Sequence, residues 1–189
     1  MGKNSHALYL EKHIGTGKGN GLRTIDPVTE AFLEEGAVLE MDTSQIGGVD
    51  HTVRTTKGTL GKDAKLVIHE RILTEKEQVA KTQFEVNLNG ENCGANLISR
   101  SVAKDHSHQE YQSRIVGNTR CNGHSECDAI LVGEGTVNAA PELSANNPDA
   151  ALIHEAAIGK IAGEQILKLR TLGLTEKEAE EKIVAGFMK

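Results

Sequence analysis

Short runs in which apolar and polar residues alternate dominate the chain between Ala37 and Val137. The clearest runs are Ala37–Asp42 and Phe84–Asn89, where every second residue is apolar. This period of two is typical of β-strands that bury one face. Further strand-like segments are Leu66–Ile72, Ala95–Val102, Tyr111–Val116 and Ala129–Val132. Glycines separate many of these runs, as expected for turns, so the pattern predicts a mainly β protein.

The strands follow one another without crossover helices, because the polar Glu75–Gln78 segment is too short to form one. An all-β arrangement of this kind can fold as a sandwich, a barrel or a β-solenoid. Three similar segments, Ala64–Ile68, Gly94–Ile98 and Cys127–Leu131, recur at intervals of roughly 30 residues, a spacing typical of stacked repeats. The repeat favours a solenoid over a sandwich.

The pattern changes to a helical period near the C-terminus. One helical face is formed by Ile158, Ile161, Ala162, Gln165, Ile166 and Leu169. Gly173 is a candidate helix stop, and Thr175 with Glu178 has the spacing of a capping box. The second apolar stripe consists of Ala179, Ile183, Val184 and Phe187. We expect a helical hairpin over residues 158–189, too small for its own core, that packs on the β-body, on a partner, or on both.

The N-terminal residues 1–26 are polar and rich in glycine, and we expect a loop at Gly15–Gly21. This run lacks the Lys-Ser/Thr that follows the glycines of a phosphate-binding loop, so no nucleotide is expected there. The 189 residues fit one domain, divided into this segment, a β-core at 27–157 and the helical segment at 158–189.

Composition narrows the function classes. Aromatic residues make up 3% of the chain and tryptophan is absent, so the core must be built from Val, Ile, Leu and Ala. A net charge of −6 without a basic stripe argues against nucleic-acid binding. Neither a membrane-spanning run nor a signal peptide is visible. Three widely spaced cysteines do not suggest a disulfide framework, which favours a reducing cytoplasm.

Candidate metal ligands concentrate between Cys121 and Glu155. Cys121, His124 and Cys127 are closely spaced, but a zinc site usually needs four ligands. Cys93 could add the fourth if neighbouring coils stack, whereas burial of the thiols as small apolar groups is the alternative. A zinc-stabilised β protein or a metalloenzyme therefore stays open.

His154 and Glu155 form a second candidate pair. Adjacent residues on a strand point to opposite faces, so the two can share a site only if the chain bends, as at a strand-to-helix junction. Alternatively, Glu155 stabilises a helix N-terminus and His154 is an ordinary polar side chain.

At these residues the chain resembles the SufB/SufD family of iron–sulfur cluster assembly scaffolds, and SufB more closely than SufD. The motifs that carry the resemblance are Ser99-Arg100-Ser101, Gly117-Asn118, His124-Ser125-Glu126-Cys127-Asp128, Pro141-Glu142-Leu143, Ile153-His154-Glu155-Ala156, Ile158-Gly159-Lys160-Ile161, Gly173-Leu174-Thr175-Glu176-Lys177-Glu178-Ala179 and Ile183-Val184-Ala185-Gly186-Phe187. Family members are usually longer, with an N-terminal helical region, so the chain is expected to be a short form or a C-terminal core fragment.

The resemblance implies a right-handed parallel β-helix followed by a helical segment. It also implies a non-enzymatic scaffold of the SUF machinery that receives sulfur from a donor protein. The C-terminal helices would dock the ABC-type ATPase SufC, and two core proteins would pair through their β-helices as a homodimer or a SufB/SufD-like heterodimer. The expected partner-binding residues are Ile158, Ile161, Ile166, Leu169, Ile183 and Phe187.

The resemblance also implies residue roles. Cys127 falls where SufB carries the cysteine implicated in assembling the nascent cluster, and His154-Glu155 matches a His-Glu pair whose Glu is a candidate ligand. The expected cargo is a transient iron–sulfur cluster. Cys121 and His124 match no family ligand and remain weaker metal candidates. A purely structural partner of the ATPase, with inert thiols, is the third alternative.

Overall fold

Stacked parallel strands make up most of the protein. The computed structural model describes residues 1–16 and 21–189. Its elements are β1 (His6–His13), β2 (Thr24–Ile25), β3 (Val28–Leu33), β4 (Val38–Ile46), β5 (His51–Leu60), β6 (Lys65–Thr74), β7 (Val79–Leu88), β8 (Gly94–Ala103), β9 (His108–Gly117), β10 (Cys121–Leu131), β11 (Thr136–Ala145), β12 (Ala150–Lys160), α1 (Gly163–Thr171) and α2 (Glu176–Phe187).

The strands form two parallel sheets. One sheet, called sheet A, has the order β1-β4-β6-β8-β10-β12, and the other, sheet B, has the order β11-β9-β7-β5-β2 with β3 also paired to β5. From β4 onward, successive strands lie alternately in sheets A and B, so the chain winds as a β-solenoid of about five turns. Hydrogen-bonded side chains of neighbouring coils are 28 or 29 residues apart in the central part. The predicted mainly β solenoid with two C-terminal helices is confirmed.

The core lies between the two sheets. Inward-facing leucines from both sheets are almost fully buried, including Leu66 and Leu97 of sheet A and Leu60 and Leu88 of sheet B. Burying one such side chain stabilises the fold by about 1.5–3 kcal/mol. This core contains few aromatic rings, as the composition predicted.

Polar side chains stack at the corners of the coils. Asn118 donates a hydrogen bond to Asn89 in the preceding coil at 2.8 Å, and Asn146 donates to Asn118 at 2.7 Å. At the neighbouring turns, Asp63 and Asn92 adopt left-handed backbone conformations, with φ of 57° and 59°. Short polar side chains tolerate that conformation, which explains turns without glycine at these two positions.

The N-terminal segment is more ordered than its composition indicated. His6–His13, expected to be part of a polar segment, forms β1 and pairs in parallel with β4. The strand was missed because β1 lies at the edge of sheet A and is mostly exposed, so it lacks a clear apolar alternation. The predicted Gly15–Gly21 loop lies partly outside the described residues.

The helical segment begins later than its periodicity indicated. Ile158 lies in β12, where it pairs with Ala129, and Ile161 and Ala162 precede α1. The helical face predicted from Ile158 was therefore wrong over its first turn, because pairing with β10 continues the sheet through Lys160. The predicted end of the first helix and the predicted start of the second helix are confirmed. Gly173 follows α1 with φ of 95°, and Thr175 and Glu178 form the predicted capping box.

The two helices contact the solenoid unequally. Ala179 and Val184 of α2 are buried, and Glu180 pairs with Lys104 of the body at 3.5 Å. In contrast, α1 buries none of its residues, and its Leu167 and the following Leu172 are 60% and 75% exposed. Among the partner-binding side chains predicted from the sequence, Ile158 is 38% exposed on β12, and five are half-buried, namely Ile161, Ile166, Leu169, Ile183 and Phe187. Neither helix is long and apolar enough to cross a membrane.

Candidate functional site

Strand β10 lies between β8 and β12, and it carries candidate ligands on both faces. Cys121, Ser125 and Cys127 are buried in the solenoid, whereas His124 and Glu126 lie on the outer face. This alternation follows from the period of two along a strand. The structure therefore does not bring Cys121, His124 and Cys127 together, because the imidazole is on the opposite face from both thiols.

Cys127 is buried inside the solenoid beside both polar and apolar side chains. Its side chain is next to Ser99, its register partner on β8, in a cavity of about 10 Å³ that Tyr111 also lines. Burial raises the pKa of the Cys127 thiol to about 12, with smaller contributions from the charges of Glu70 and Asp128. In this conformation the thiol is protonated at neutral pH and out of contact with solvent.

A buried carboxylate, Glu70, lies on β6, two strands from Cys127 in sheet A. Glu70 accepts hydrogen bonds from Thr82 Oγ1 at 3.1 Å and from Ser99 Oγ at 3.0 Å, and its Oε1 is 3.3 Å from Arg54 Nε. Burial raises the pKa of Glu70, while the Arg54 charge opposes the rise. This network was not predicted, although Glu70 occupies an inward position in an otherwise apolar alternation of β6.

The remaining cysteines are also buried. Cys93 precedes β8 and Cys121 begins β10, and both are free thiols facing the interior. Burial raises the pKa of Cys93 to about 11, and burial likewise raises that of Cys121. Neither thiol belongs to the groups of three metal-ligating side chains found among residues 1–16 and 21–189.

His154 and Glu155 lie in the middle of β12 rather than at a strand-to-helix junction. His154 pairs in register with Ser125 and so faces inward, where its Nδ1 is buried with no hydrogen-bond partner among the described residues. Glu155 pairs in register with Glu126 and faces outward. The bend needed for a shared site is absent, so the pair is divided between the two faces of sheet A.

The outer face collects a different set of ligands. His124, Glu126 and Glu155 each place one ligand atom so that all three lie within 4.8 Å of one another. His124 Nδ1 is 2.8 Å from Asn96 Oδ1, and its Nε2 is 3.5 Å from Glu155 Oε2. Burial raises the pKa of Glu126, and the adjacent Asp128 adds to the rise by hydrogen bonding and charge.

Glu126 was not predicted as a site residue, although its spacing from His124 could have indicated it. On one strand, His124 and Glu126 are two residues apart and therefore share a face. Their proximity to Glu155 depends on the coil length, which places Glu126 directly opposite Glu155.

Comparison with known proteins identifies the family. The profile described as "SUF system FeS cluster assembly, SufBD core domain" matches residues 30–187. The iron-sulfur cluster assembly SufBD family protein of Methanocaldococcus jannaschii is 32% identical over 190 residues, covering 100% of this chain and 60% of the relative. The corresponding family protein of Archaeoglobus fulgidus is 34% identical over 167 residues, covering 87% of this chain and 45% of the relative.

A third relative supports the same assignment. A SufBD family protein of Pyrococcus horikoshii is 30% identical over 193 residues, covering 100% of this chain and 57% of its own length. The chain thus spans 45–60% of the length of these three curated relatives. The profile match extends from β3 through the last residue of α2, across both faces of the site just described. The chain belongs to the SufBD family of iron–sulfur cluster assembly proteins.

Proposed function

We propose that the chain acts as a SufB-like scaffold of the SUF machinery, on which a nascent iron–sulfur cluster is assembled in the cytoplasm with the ATPase SufC. The main observation is that Cys127 and Glu155 lie on neighbouring strands within a SufBD core. Cys127 pairs in register with Ala156, the residue next to Glu155. A thiolate holds iron–sulfur clusters firmly, and a carboxylate gives a weaker hold suited to a cluster that must be passed on.

The buried position of Cys127 implies that the scaffold must open. The thiol is 1% exposed and its pKa is raised to about 12, so it cannot bind iron in the conformation described. The strand paired with β10 on one side, β12, is the last strand of sheet A and has a free edge among the described residues. Movement of β12, driven by the ATPase, would expose Cys127 and bring it to the side of Glu155.

The free edge of β12 is also the proposed contact between two core proteins. Within residues 1–16 and 21–189, no further strand pairs with its outer edge, and its Ile153 and Ile158 are 56% and 38% exposed. An edge strand with apolar side chains is well suited to pairing with a second chain. A homodimer or a SufB/SufD-like heterodimer would then bring together two copies of the cluster-binding region.

Anaerobic reconstitution with ferrous iron and sulfide tests the scaffold role. We expect sulfide-dependent visible absorption that is lost in Cys127→Ala, while Cys93→Ala retains it because Cys93 is equally buried but is not next to β12. Absorption that is unchanged in Cys127→Ala would rule out the ligand role of this thiol. Retained far-UV circular dichroism shows that either variant is folded.

The ATPase contact is proposed to lie on α1 and the turn after it. Leu167 and Leu172 are more exposed than any partner-binding residue predicted from the sequence. We expect Leu167→Asp with Leu172→Asp to abolish co-purification with SufC. The matched control is Leu8→Asp with Leu10→Asp on β1, where the leucines are 61% and 69% exposed. Equal loss of binding in both double variants would contradict docking through α1.

A further inference from the structure

From the outer face of β10 and β12 we infer a binding site for a divalent first-row transition metal ion, with His124, Glu126 and Glu155 as its three protein ligands. The three ligand atoms lie within 4.8 Å of one another. Two of the ligands come from β10 and one from β12, so regular parallel strands, rather than a loop, position the site.

The hydrogen bond between His124 and Asn96 prepares the imidazole for a metal. Asn96 Oδ1 only accepts hydrogen bonds, so the Nδ1 that lies 2.8 Å away carries the proton. In the neutral ring, the other nitrogen, Nε2, is then free to bind a metal ion, and it lies 3.5 Å from Glu155 Oε2. Metal-binding histidines commonly have this arrangement, in which the distal N–H is held by a carbonyl or carboxylate oxygen.

The charges of the site favour a cation. Glu126 and Glu155 are direct cross-strand neighbours, and like charges in that position repel each other. Among the described residues, neither carboxylate forms an ion pair with a lysine or arginine, and the His124 ring is the only group in such contact with Glu155. A cation between the two carboxylates and Nε2 would remove the repulsion and occupy the lone pairs.

The donor set indicates which cation fits. One imidazole nitrogen and two carboxylates suit ferrous iron, manganese or zinc, whereas calcium and magnesium prefer oxygen ligands alone. The side chains of His124 and Glu155 are 31% and 67% exposed, which leaves room for water or a second ligand on the ion. Such a site binds reversibly and exchanges its ion with solvent.

We identify the physiological ion as ferrous iron, and this identification alone rests on the proposed function. The site lies on the face of β10 opposite Cys127, so iron would be received outside the solenoid while the thiol stays inside. Glu155 would bind the ion first and would meet Cys127 only when β12 moves.

The test is an anaerobic titration of the full chain with Co²⁺, in which binding is measured by visible d–d absorption and by calorimetry. The titration is then repeated with Fe²⁺. We expect one ion per chain, and binding at least about 10-fold weaker in His124→Gln and in Glu126→Gln. Asn96→Ala, which removes the acceptor for Nδ1 but no ligand, should weaken binding by about 10-fold. The matched control is His6→Gln, since His6 faces Glu40 at 3.1 Å on the same sheet but has no third ligand there.

A Cys127→Ser arm separates this site from the cluster site. We expect Cys127→Ser to bind Co²⁺ with unchanged affinity. The wild-type chain should show no thiolate-to-cobalt charge-transfer absorption. Loss of binding in Cys127→Ser, or unchanged affinity in Glu126→Gln, would overturn the outer site. If those results occur while cluster reconstitution still depends on Cys127, the outer site fails and the scaffold role stands. If Co²⁺ binding is weakened in Glu126→Gln and unchanged in Cys127→Ser, while cluster reconstitution does not depend on Cys127, the metal site stands and the scaffold role is rejected.

Discussion

Carboxylates occupy both faces of sheet A, and the two faces treat them differently. Inside, Glu70 is 2% exposed and is bonded to Thr82, Ser99 and Arg54. Outside, Glu126 and Glu155 lie side by side, with His124 next to Glu155 and Asp128 hydrogen-bonded to Glu126. A buried charge is tolerated only when its partners are in place, whereas an exposed one can stay available. The difference indicates that the inner carboxylate serves the fold and the outer pair serves a ligand.

The largest effect should come from removing the cation of the inner network. Arg54 is shared by Glu70 and by Glu11, whose Oε1 is 2.9 Å from Arg54 Nη1. We expect Arg54→Met to lower the free energy of unfolding by about 3–5 kcal/mol, because two buried or half-buried carboxylates lose their partner. Urea unfolding followed by circular dichroism measures the change.

The outer counterpart of Arg54 is Arg114, which also contacts two glutamates, Glu85 at 3.5 Å and Glu142 at 2.9 Å. Its side chain is 46% exposed, compared with 4% for Arg54. We expect Arg114→Met to cost no more than about 1 kcal/mol. Both arginines lie on sheet B, and equal losses in the two variants would remove the distinction between inner and outer ion pairs.

The second largest effect concerns the thiols of the inner face. Since burial raises the pKa of Cys127 to about 12 and that of Cys93 to about 11, little thiolate is present at pH 8. We expect alkylation of both to be at least about 10-fold slower in the native chain than in denaturant. Peptide mass spectrometry measures each rate. Rapid native labelling of Cys127 alone would instead reveal an opening of β12.

A smaller effect of opposite sign is expected on the outer face. With chelator present, Glu126→Gln should stabilise the chain by about 0.2–1 kcal/mol, because it removes like-charge repulsion with Asp128 and with the cross-strand neighbour Glu155. The pKa of Glu126 is raised, so its ionisation costs stability as pH rises above the ordinary value of about 4.3. The gain from the substitution should therefore increase between pH 4 and pH 7. A loss of stability at pH 7 would show that the carboxylates are already compensated.

The smallest effect is expected for an outer carboxylate that does have a partner. Hydrogen bonds from Arg23 lower the pKa of Asp50 to about 2. A lowered pKa stabilises the fold above the unfolded value of about 3.9, and this contribution is lost as pH falls toward 2. We expect the melting temperatures of the wild type and Asp50→Asn to differ at pH 6 and to converge only as the pH falls to about 2. A difference that stays constant with pH would exclude the ion pair as its cause.

The fold could largely be predicted from the sequence because its signals are local and repeated. Alternation in runs such as Phe84–Asn89 defined strands, and the spacing of roughly 30 residues indicated stacking. The capping box at Thr175 could be predicted because its sequence signal is also local. Exposed β1 and the end of β12 were not, since edge strands bury one face weakly and Ile158 also fits a helical period.

The site was harder to predict because it depends on which face of its strand each residue occupies and on the register between neighbouring strands. Once Cys121–Cys127 is known to be one strand, a spacing of three residues places His124 opposite both thiols. The pairing of Glu126 with Glu155 requires a coil of 29 residues, and a coil one residue longer or shorter would turn one carboxylate inward. Which coil length the chain adopts is decided by the turns and their packing, which alternation alone does not reveal.

The asparagine stack at the coil corners has a consequence for how such chains change in length. The side chains of Asn89, Asn118 and Asn146 bond to one another between adjacent coils, and the strands they connect likewise pair with the strands of adjacent coils. In an array with nearest-neighbour contacts, duplication or deletion of one whole unit leaves distant units undisturbed. A lineage could therefore add or lose a coil before β6 while the residues of β8, β10 and β12 keep their mutual geometry. Modular growth at one end is compatible with constant chemistry at the other.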